Sequence, residues 1–548
     1  MSNKNTWGMT PELVETIAAG YDFDEDSIAL GSLIDDNGTY PQAQIRIPLH
    51  AMNRHGLIAG ATGTGKTRTL QLIAEGLASQ GVSVFLTDVK GDLTGLAQPG
   101  EPSDQLLART EDIGQDWKPD AFTLEMLSLG AQAERGTPVR ATVCDFGPLL
   151  MAKVLDLNTT QEQALQLIFS WADRRGLALI DLKDLKAVVQ YLTDEGKSEL
   201  KEIGGISSAT AGVILRSVSV LESQGGDVFF GTPAFDTADF FRLDEDGRGV
   251  ISSLAIPQLD SRPALVSTFI MWLLADLFDT LPEVGDQPKP KLVFFFDEAH
   301  LLFKSASPTF LDQVVQTVKL IRSKGVGVFF ITQTPQDVPE DVLAQLGSRV
   351  MHALRAYTPK DVDKLKNTVS TFPNTPLDLE EVITNLGTGE ALITVLGEKG
   401  VPTPVAPTRL CAPAADMGVA DDEVIKKVIE ESKIRTQYVE ATDPYSAFEA
   451  LTEAGSQGTH APATERDDSA ASQDSQPDIG TKYTDEELED AIVNPTSRRK
   501  TGSVSRKEAD TVSDVVTGML GNAMRSFGTQ LGREISRTIF GTRRRRRR

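Results

Sequence analysis

One run of eight residues constrains this chain more than any other: Gly60-Ala61-Thr62-Gly63-Thr64-Gly65-Lys66-Thr67. It follows the pattern G-x-x-x-x-G-K-[ST]. Its glycines let the backbone aim several N–H groups at phosphate, its lysine reaches the β- and γ-phosphates, and its hydroxyl ligates Mg2+. Such a loop needs a strand before it and a helix after it, whose positive N-terminal end faces the anion. The flanks comply. His55 to Ala59 reads as a strand, Thr67 to Ser79 carries apolar residues at helical spacing (Leu70, Ile73, Ala74, Leu77), and Val82 to Thr87 reads as a second strand. A strand–helix–strand unit implies a parallel sheet with helices on its faces. Gly60, Ala61, Thr62, Gly63, Thr64, Gly65, Lys66, Thr67 and the adjoining Arg68 are the residues expected to bind ATP, with Thr67 also on Mg2+.

A second feature belongs with the first. Lys291-Leu292-Val293-Phe294-Phe295-Phe296-Asp297-Glu298 is an apolar strand ending in two carboxylates. Asp297 at such a strand end suits the Mg2+ shell, and Glu298 suits polarisation of the attacking water. Ligands of open parallel sheets bind at this carboxyl edge. Asp297 to His300 spells D-E-A-H, but no second motor domain accompanies it. The strand Val326 to Thr332 ends in Gln333, a candidate sensor of the γ-phosphate. Arg322, Arg349 and Arg355 are candidates for an arginine acting on a neighbouring subunit's nucleotide. Asp88, after the second strand, suits either a ligand contact or an Asx turn.

The chain is 548 residues long, more than one ordinary core accommodates. Residues 1–50 read as a lead-in, 51–148 as the first part of a RecA-like core, and 149–248 as a mainly helical insertion. Residues 249–412 read as the second part of that core, with strands at Val250 to Leu254, Leu292 to Phe296 and Val326 to Ile331. Late strands are expected at Arg349 to Ala356 and Gly389 to Leu396, and a short one at Thr142 to Asp145. Residues 413–455 carry weak helical signal. Residues 456–507, poor in large apolar side chains, are expected to be disordered, and 508–548 form a basic amphipathic tail ending in Arg543 to Arg548. Net charge is −24, yet residues 496–548 hold 14 Lys/Arg against 4 Asp/Glu. An acidic body excludes a protein that coats nucleic acid over its whole surface, so any DNA contact is confined to a pore or to the tail. The tail also suits an anionic membrane surface. No stretch approaches a membrane span, and the N-terminus lacks a signal peptide's apolar core. The two cysteines, Cys144 and Cys411, offer neither metal spacing nor a disulfide framework. The cytosol is the expected compartment.

The runs NRHGLIAGATGTGKT, DVKGDLTGLA, PKLVFFFDEAHLLF and IRSKGVGVFFITQ, with LGSRVMHALRAYTPKD and GTGEALITVLG, resemble the HerA–FtsK superfamily of RecA-like ATPases. The similarity is greatest to the bacterial YjgR family and spans about residues 40–455. The resemblance implies a parallel sheet in which the strand bearing Asp297 lies beside the strand ending in Gln333. It also implies a ring, commonly a hexamer, with ATP between subunits. By the same resemblance, Gly60 to Thr67 hold phosphate and metal, Asp297 the metal, Glu298 the base role and Gln333 the sensor role. Arg322 takes the arginine-finger position ahead of Arg349 and Arg355. The HerA family has an N-terminal β-barrel where only about 50 residues stand here. Two functions are expected: a ring motor that moves DNA through a pore, or an ATP-gated scaffold that moves nothing.

Overall fold

The computed structural model describes residues 7–458 except 130–132, 203, 257–262, 286, 304–307 and 398–399. Residues up to Thr452 fall in one compact unit, and Glu453 begins a second. Residues 459–507 of the expected disordered linker and the whole basic tail lie outside the described residues. No helix among the described residues is long and apolar enough to cross a membrane.

Among the described residues, twelve strands make one sheet: β1 (Ser27–Asp35), β2 (Gly38–Pro48), β3 (Gly56–Ala59), β4 (Ser83–Asp88), β5 (Leu124–Leu129), β6 (Thr137–Val139), β7 (Ile251–Ala255), β8 (Leu292–Phe296), β9 (Val326–Thr332), β10 (Ser348–His352), β11 (Glu390–Thr394) and β12 (Ala406–Leu410). From β10 the order β10-β3-β9-β8-β4-β7-β5-β6 is parallel throughout. On the other side of β10, strands β11, β12, β1 and β2 continue the sheet antiparallel. The strand bearing Asp297 pairs with the strand ending at Gln333, as the resemblance implied.

The unbroken apolar runs of β8 and β9 have a simple cause. A parallel sheet covered on both faces needs apolar side chains in both directions. Phe294, Phe296, Val328 and Phe330 enter one core, while Val293, Phe295, Phe329 and Ile331 enter the other. The first core is filled from the helices Val143–Val154, Thr159–Arg174, Leu182–Thr193, Pro263–Thr280 and Pro308–Ile321, the second from Lys66–Ser79 and Pro11–Gly20.

Two expectations are corrected. Thr142 to Asp145 is not a strand but the start of the helix Val143–Val154. Thr142 Oγ1 accepts from the Asp145 amide at 3.1 Å and Asp145 Oδ2 accepts from the Thr142 amide at 2.9 Å. This reciprocal capping outweighs the β-branched character of the tetrapeptide. The stretch before the phosphate loop is more than a lead-in. Asn37-Gly38 turns a hairpin between β1 and β2, and Asp35 Oδ1 holds the Asn37 amide at 2.7 Å.

The segment after β12 is tied down. Glu75 of the helix Lys66–Ser79 accepts from the amides of Ala414 (2.7 Å) and Ala415 (3.2 Å). Further on, Tyr438 is fully buried and its carbonyl accepts from Arg140 at 2.7 Å.

Candidate nucleotide site

The loop between β3 and the helix Lys66–Ser79 is shaped by its floor. The Ala61 amide donates to Ala353 O at 2.9 Å, and the Gly389 amide donates to Thr64 O at 2.9 Å. Gly60 has φ +153°, and a β-carbon there would lie 2.4 Å from His352 Cβ. Gly65, the N-cap, has φ +114°, and a β-carbon there would lie 3.3 Å from the Gly389 backbone. Only glycine fits the first position, for steric and conformational reasons together. Thr64 Oγ1 donates to Ala61 O at 2.7 Å. Ala61, Lys66, Thr67 and Arg68 are half-buried, while Thr62 and Gly63 are exposed at the rim.

Lys66 folds back over the loop, donating to Gly60 O (2.8 Å) and Ala61 O (3.1 Å). Burial pulls its ammonium below the ordinary lysine range, and the nearby carboxylates of Glu298 and Asp297 oppose that shift. The phosphate loop and the acidic strand end therefore share one electrostatic site, although they lie far apart in the chain. The carboxyl edge of the sheet makes this possible: only β9 stands between β3 and β8.

At the end of β8 the Asp297 amide donates to Thr87 Oγ1 of β4 at 2.9 Å, which fixes the carboxylate's bearing. Asp297 Oδ1 accepts from the Glu298 amide at 2.9 Å. Its Oδ2 is buried without a protein hydrogen-bond partner. Burial, then the neighbouring Glu298, pushes the Asp297 carboxyl up to about 7, and Lys90 opposes the shift. An unpaired buried carboxylate oxygen is costly unless something completes it. With Thr67 at the mouth of the loop, this oxygen set suits a hard divalent cation such as Mg2+. Glu298 itself has φ +49°, a left-handed conformation rare outside glycine and concentrated at functional sites. The following amide, Ala299 N, donates to Ile331 O of β9 at 2.8 Å, locking the turn to the strand that leads to Gln333. Gln333 is exposed at the carboxyl edge between the two halves of the site.

Other expected residues go elsewhere. Arg68 donates to Gln71 Oε1 at 3.1 Å and faces Asp92 and Asp416 rather than the loop. Arg349 donates to Thr371 O at 2.6 Å, and Arg355 donates to Thr384 O at 2.6 Å. Both guanidiniums satisfy carbonyls at helix ends. Arg322 precedes β9, at the amino edge of the sheet, where its charge bears on buried His55. β9 runs parallel to β3, so Arg322 lies across the sheet from its own phosphate loop. Asp88 is an Asx-type turn: its oxygens accept from the amides of Lys90 (3.2 Å), Gly91 (2.6 Å) and Leu93 (3.2 Å).

Four residues of the site were not singled out from sequence. Lys90 Nζ lies 2.6 Å from Glu298 Oε1. His352 underlies the loop, its Nε2 2.8 Å from Thr69 Oγ1. Gly389 braces Thr64, and Arg109 holds Gly389 O at 2.6 Å. Lys90 lay in view in Asp88-Val89-Lys90-Gly91; the other three are signalled by nothing local.

A parallel sheet flanked by helices, a glycine-rich phosphate loop and an acidic pair two strands away define a RecA-like P-loop ATPase. Residues 35–548 match the family described as Helicase HerA-like C-terminal, and the chain belongs to that family. It is 22% identical over 377 residues to the DNA double-strand break repair helicase HerA of Sulfurisphaera tokodaii, covering 68% of this chain and 67% of the relative. The corresponding protein of Pyrococcus furiosus is 21% identical over 402 residues, covering 68% of each. Among solved structures, the bacterial conjugative coupling protein TrwBdeltaN70 in its unbound monoclinic form superposes with a TM-score of 0.48 at 15% identity, covering 74% of this chain and 95% of that one. VirB4 of Thermoanaerobacter pseudethanolicus gives 0.42 at 13% identity, covering 74% and 99%.

Proposed function

We propose that this chain is a ring-forming, Mg2+-dependent ATPase that moves DNA, with ATP bound between adjacent copies. The observation that carries the proposal is the shared field of Lys66, Asp297 and Glu298 at one sheet edge. In this reading the loop amides and Lys66 bind the β- and γ-phosphates, and Thr67 and Asp297 hold the metal. Mg2+, when bound, neutralises charge developing on the transferred phosphoryl group. Glu298 accepts a proton from the attacking water, and Gln333 orients that water against the γ-phosphate. Arg322 cannot serve its own site across the sheet, so it serves a neighbour's, and the ring is then needed for turnover. The DNA assignment draws on family membership and on the helicase relatives.

A second reading, an ATP-gated switch that moves no polymer, is favoured by the net charge of −24. The two part on one measurement. DNA raises the ATPase rate of a motor and leaves that of a switch flat. The site assignment is tested separately: Lys66→Ala should abolish nucleotide binding or turnover, and Glu298→Gln should bind ATP without cleaving it. Normal turnover in both variants would defeat it.

A further inference from the structure

Glu298 is not free to act as a base in this structure. Its Oε1 lies 2.6 Å from Lys90 Nζ, and its side chain is 13% exposed against 49% for Lys90. Its Oε2 is buried without a hydrogen bond, 3.3 Å from His300 Nδ1 but poorly aligned with it. A general base must offer a lone pair to the water whose proton it takes. Here the accessible oxygen is occupied by an ammonium and the other is shut away from solvent.

The loop that carries Lys90 is built with a fixed stem and an open tip. Asp88, at the end of β4, accepts from the amides of Lys90, Gly91 and Leu93, which sets the loop's origin. At the tip Gly91 has φ +80°, and a β-carbon there would meet nothing within 4 Å. The Lys90 side chain is itself half exposed, so it can leave Glu298 without any movement of the backbone. Lys66 differs: it is held by its own loop's carbonyls. Two ammonium groups, Lys66 and Lys90, thus face the two carboxylates Asp297 and Glu298. A triphosphate entering the loop adds a competing anion beside both ammonium groups.

The geometry points to Lys90 as a latch on Glu298: a positioning residue that still holds the base away from water in most ATP-bound molecules, while the terminal phosphate of ATP competes for the ammonium and frees the base in the rest. No bond is made or broken; one charge-assisted hydrogen bond is exchanged for another. The latch keeps basal hydrolysis low. It rests on the base role proposed for Glu298.

The test is steady-state ATP hydrolysis by the full-length protein without DNA, with nucleotide affinity measured alongside. Lys90→Met removes the charge and keeps the length. Its kcat should rise about tenfold, the rate equivalent of one charge-assisted hydrogen bond, with KM changed little. Lys90→Arg, which can re-form the pair, should return kcat toward the wild-type value. A merely structural role would lower activity and stability together and show no such rescue. An unchanged or reduced kcat in Lys90→Met overturns the latch. Thermal melting checks the fold, and Lys90→Gln gives the same neutralisation if the Met variant does not fold. Glu298→Gln and Lys66→Ala run in parallel. If they hydrolyse ATP normally, the site assignment has failed. If they are inactive and Lys90→Met is unchanged, only the latch has failed.

Discussion

His352 of β10 and Thr69 of the phosphate-loop helix share a hydrogen bond of 2.8 Å, entirely inside the protein. The contact joins the strand beside β3 to the helix that follows the phosphate loop. The loop's geometry therefore depends on a residue 283 positions away from its partner in the chain.

Burial depresses the His352 imidazole to about 3, well below the ordinary histidine value of 6.5, with Lys66 adding to the effect. The folded state keeps it neutral while an unfolded chain would protonate it below about pH 6.5. Its contribution is complete above that pH and is lost as pH falls toward 3. Melting temperatures of wild type and His352→Gln should differ most near pH 7.5, and the gap should narrow steadily on acidification. A gap that stays constant would contradict a buried neutral imidazole.

Asp297 has the opposite sign. With its folded carboxyl raised to about 7, the unfolded chain loses its proton first as pH rises from about 4. The metal-free protein should lose stability across that window and level off above pH 7. Metal binding needs the carboxylate, so Mg2+ in the presence of ADP should restore more stability at pH 8 than at pH 6. Thermal shift at the two pH values reads this directly. Asp297→Asn should remove the difference.

Arg322 and Arg349 should fail in different ways. Arg349→Ala strips the donor from Thr371 O and should cost about 1–3 kcal/mol of stability, with turnover per folded molecule largely kept. Arg322→Ala should keep nucleotide binding and lose about 10³-fold in rate. Mixing Arg322→Ala with Lys66→Ala should recover part of the activity, because some interfaces then pair an intact loop with an intact arginine. No recovery in mixed assemblies would remove Arg322 from the trans role.

Arg109 reaches the loop indirectly, donating to Gly389 O at 2.6 Å and Leu410 O at 3.2 Å while Gly389 braces Thr64. Arg109→Ala should raise KM for ATP about three- to tenfold, the equivalent of one ordinary net hydrogen bond of about 0.7–1.4 kcal/mol, because it acts on the loop only through Gly389. The value of kcat should move less. Titration with a non-hydrolysable analogue separates the two.

The core strands were legible because each carries its own evidence. The apolar runs of β8 and β9 can only be strands covered on both faces, and the glycine-rich loop fixes what stands before and after it. The antiparallel strands β1, β2 and β12 were not legible in the same way. β1 pairs with β12, and Gly31 aligns with Leu410. Neither strand has a local partner that would reveal it, except for the Asn37-Gly38 hairpin. Thr142 to Asp145 misled for a local reason, since the same four residues that favour a strand also form a capping box.

The amino-acid sequence by itself settled the phosphate loop, the acidic strand end and the parallel sheet. Each follows from short-range stereochemistry: glycine's tolerance of positive φ, helical spacing, and a strand run long enough to be buried. The tertiary structure alone decided which arginines cap helix carbonyls, which one lies across the sheet, and that Lys90 meets Glu298. Those outcomes depend on strand order and on which side chains converge at one sheet edge. Lys90 and Glu298 stand 208 positions apart, and a contact over that distance leaves no trace in local spacing.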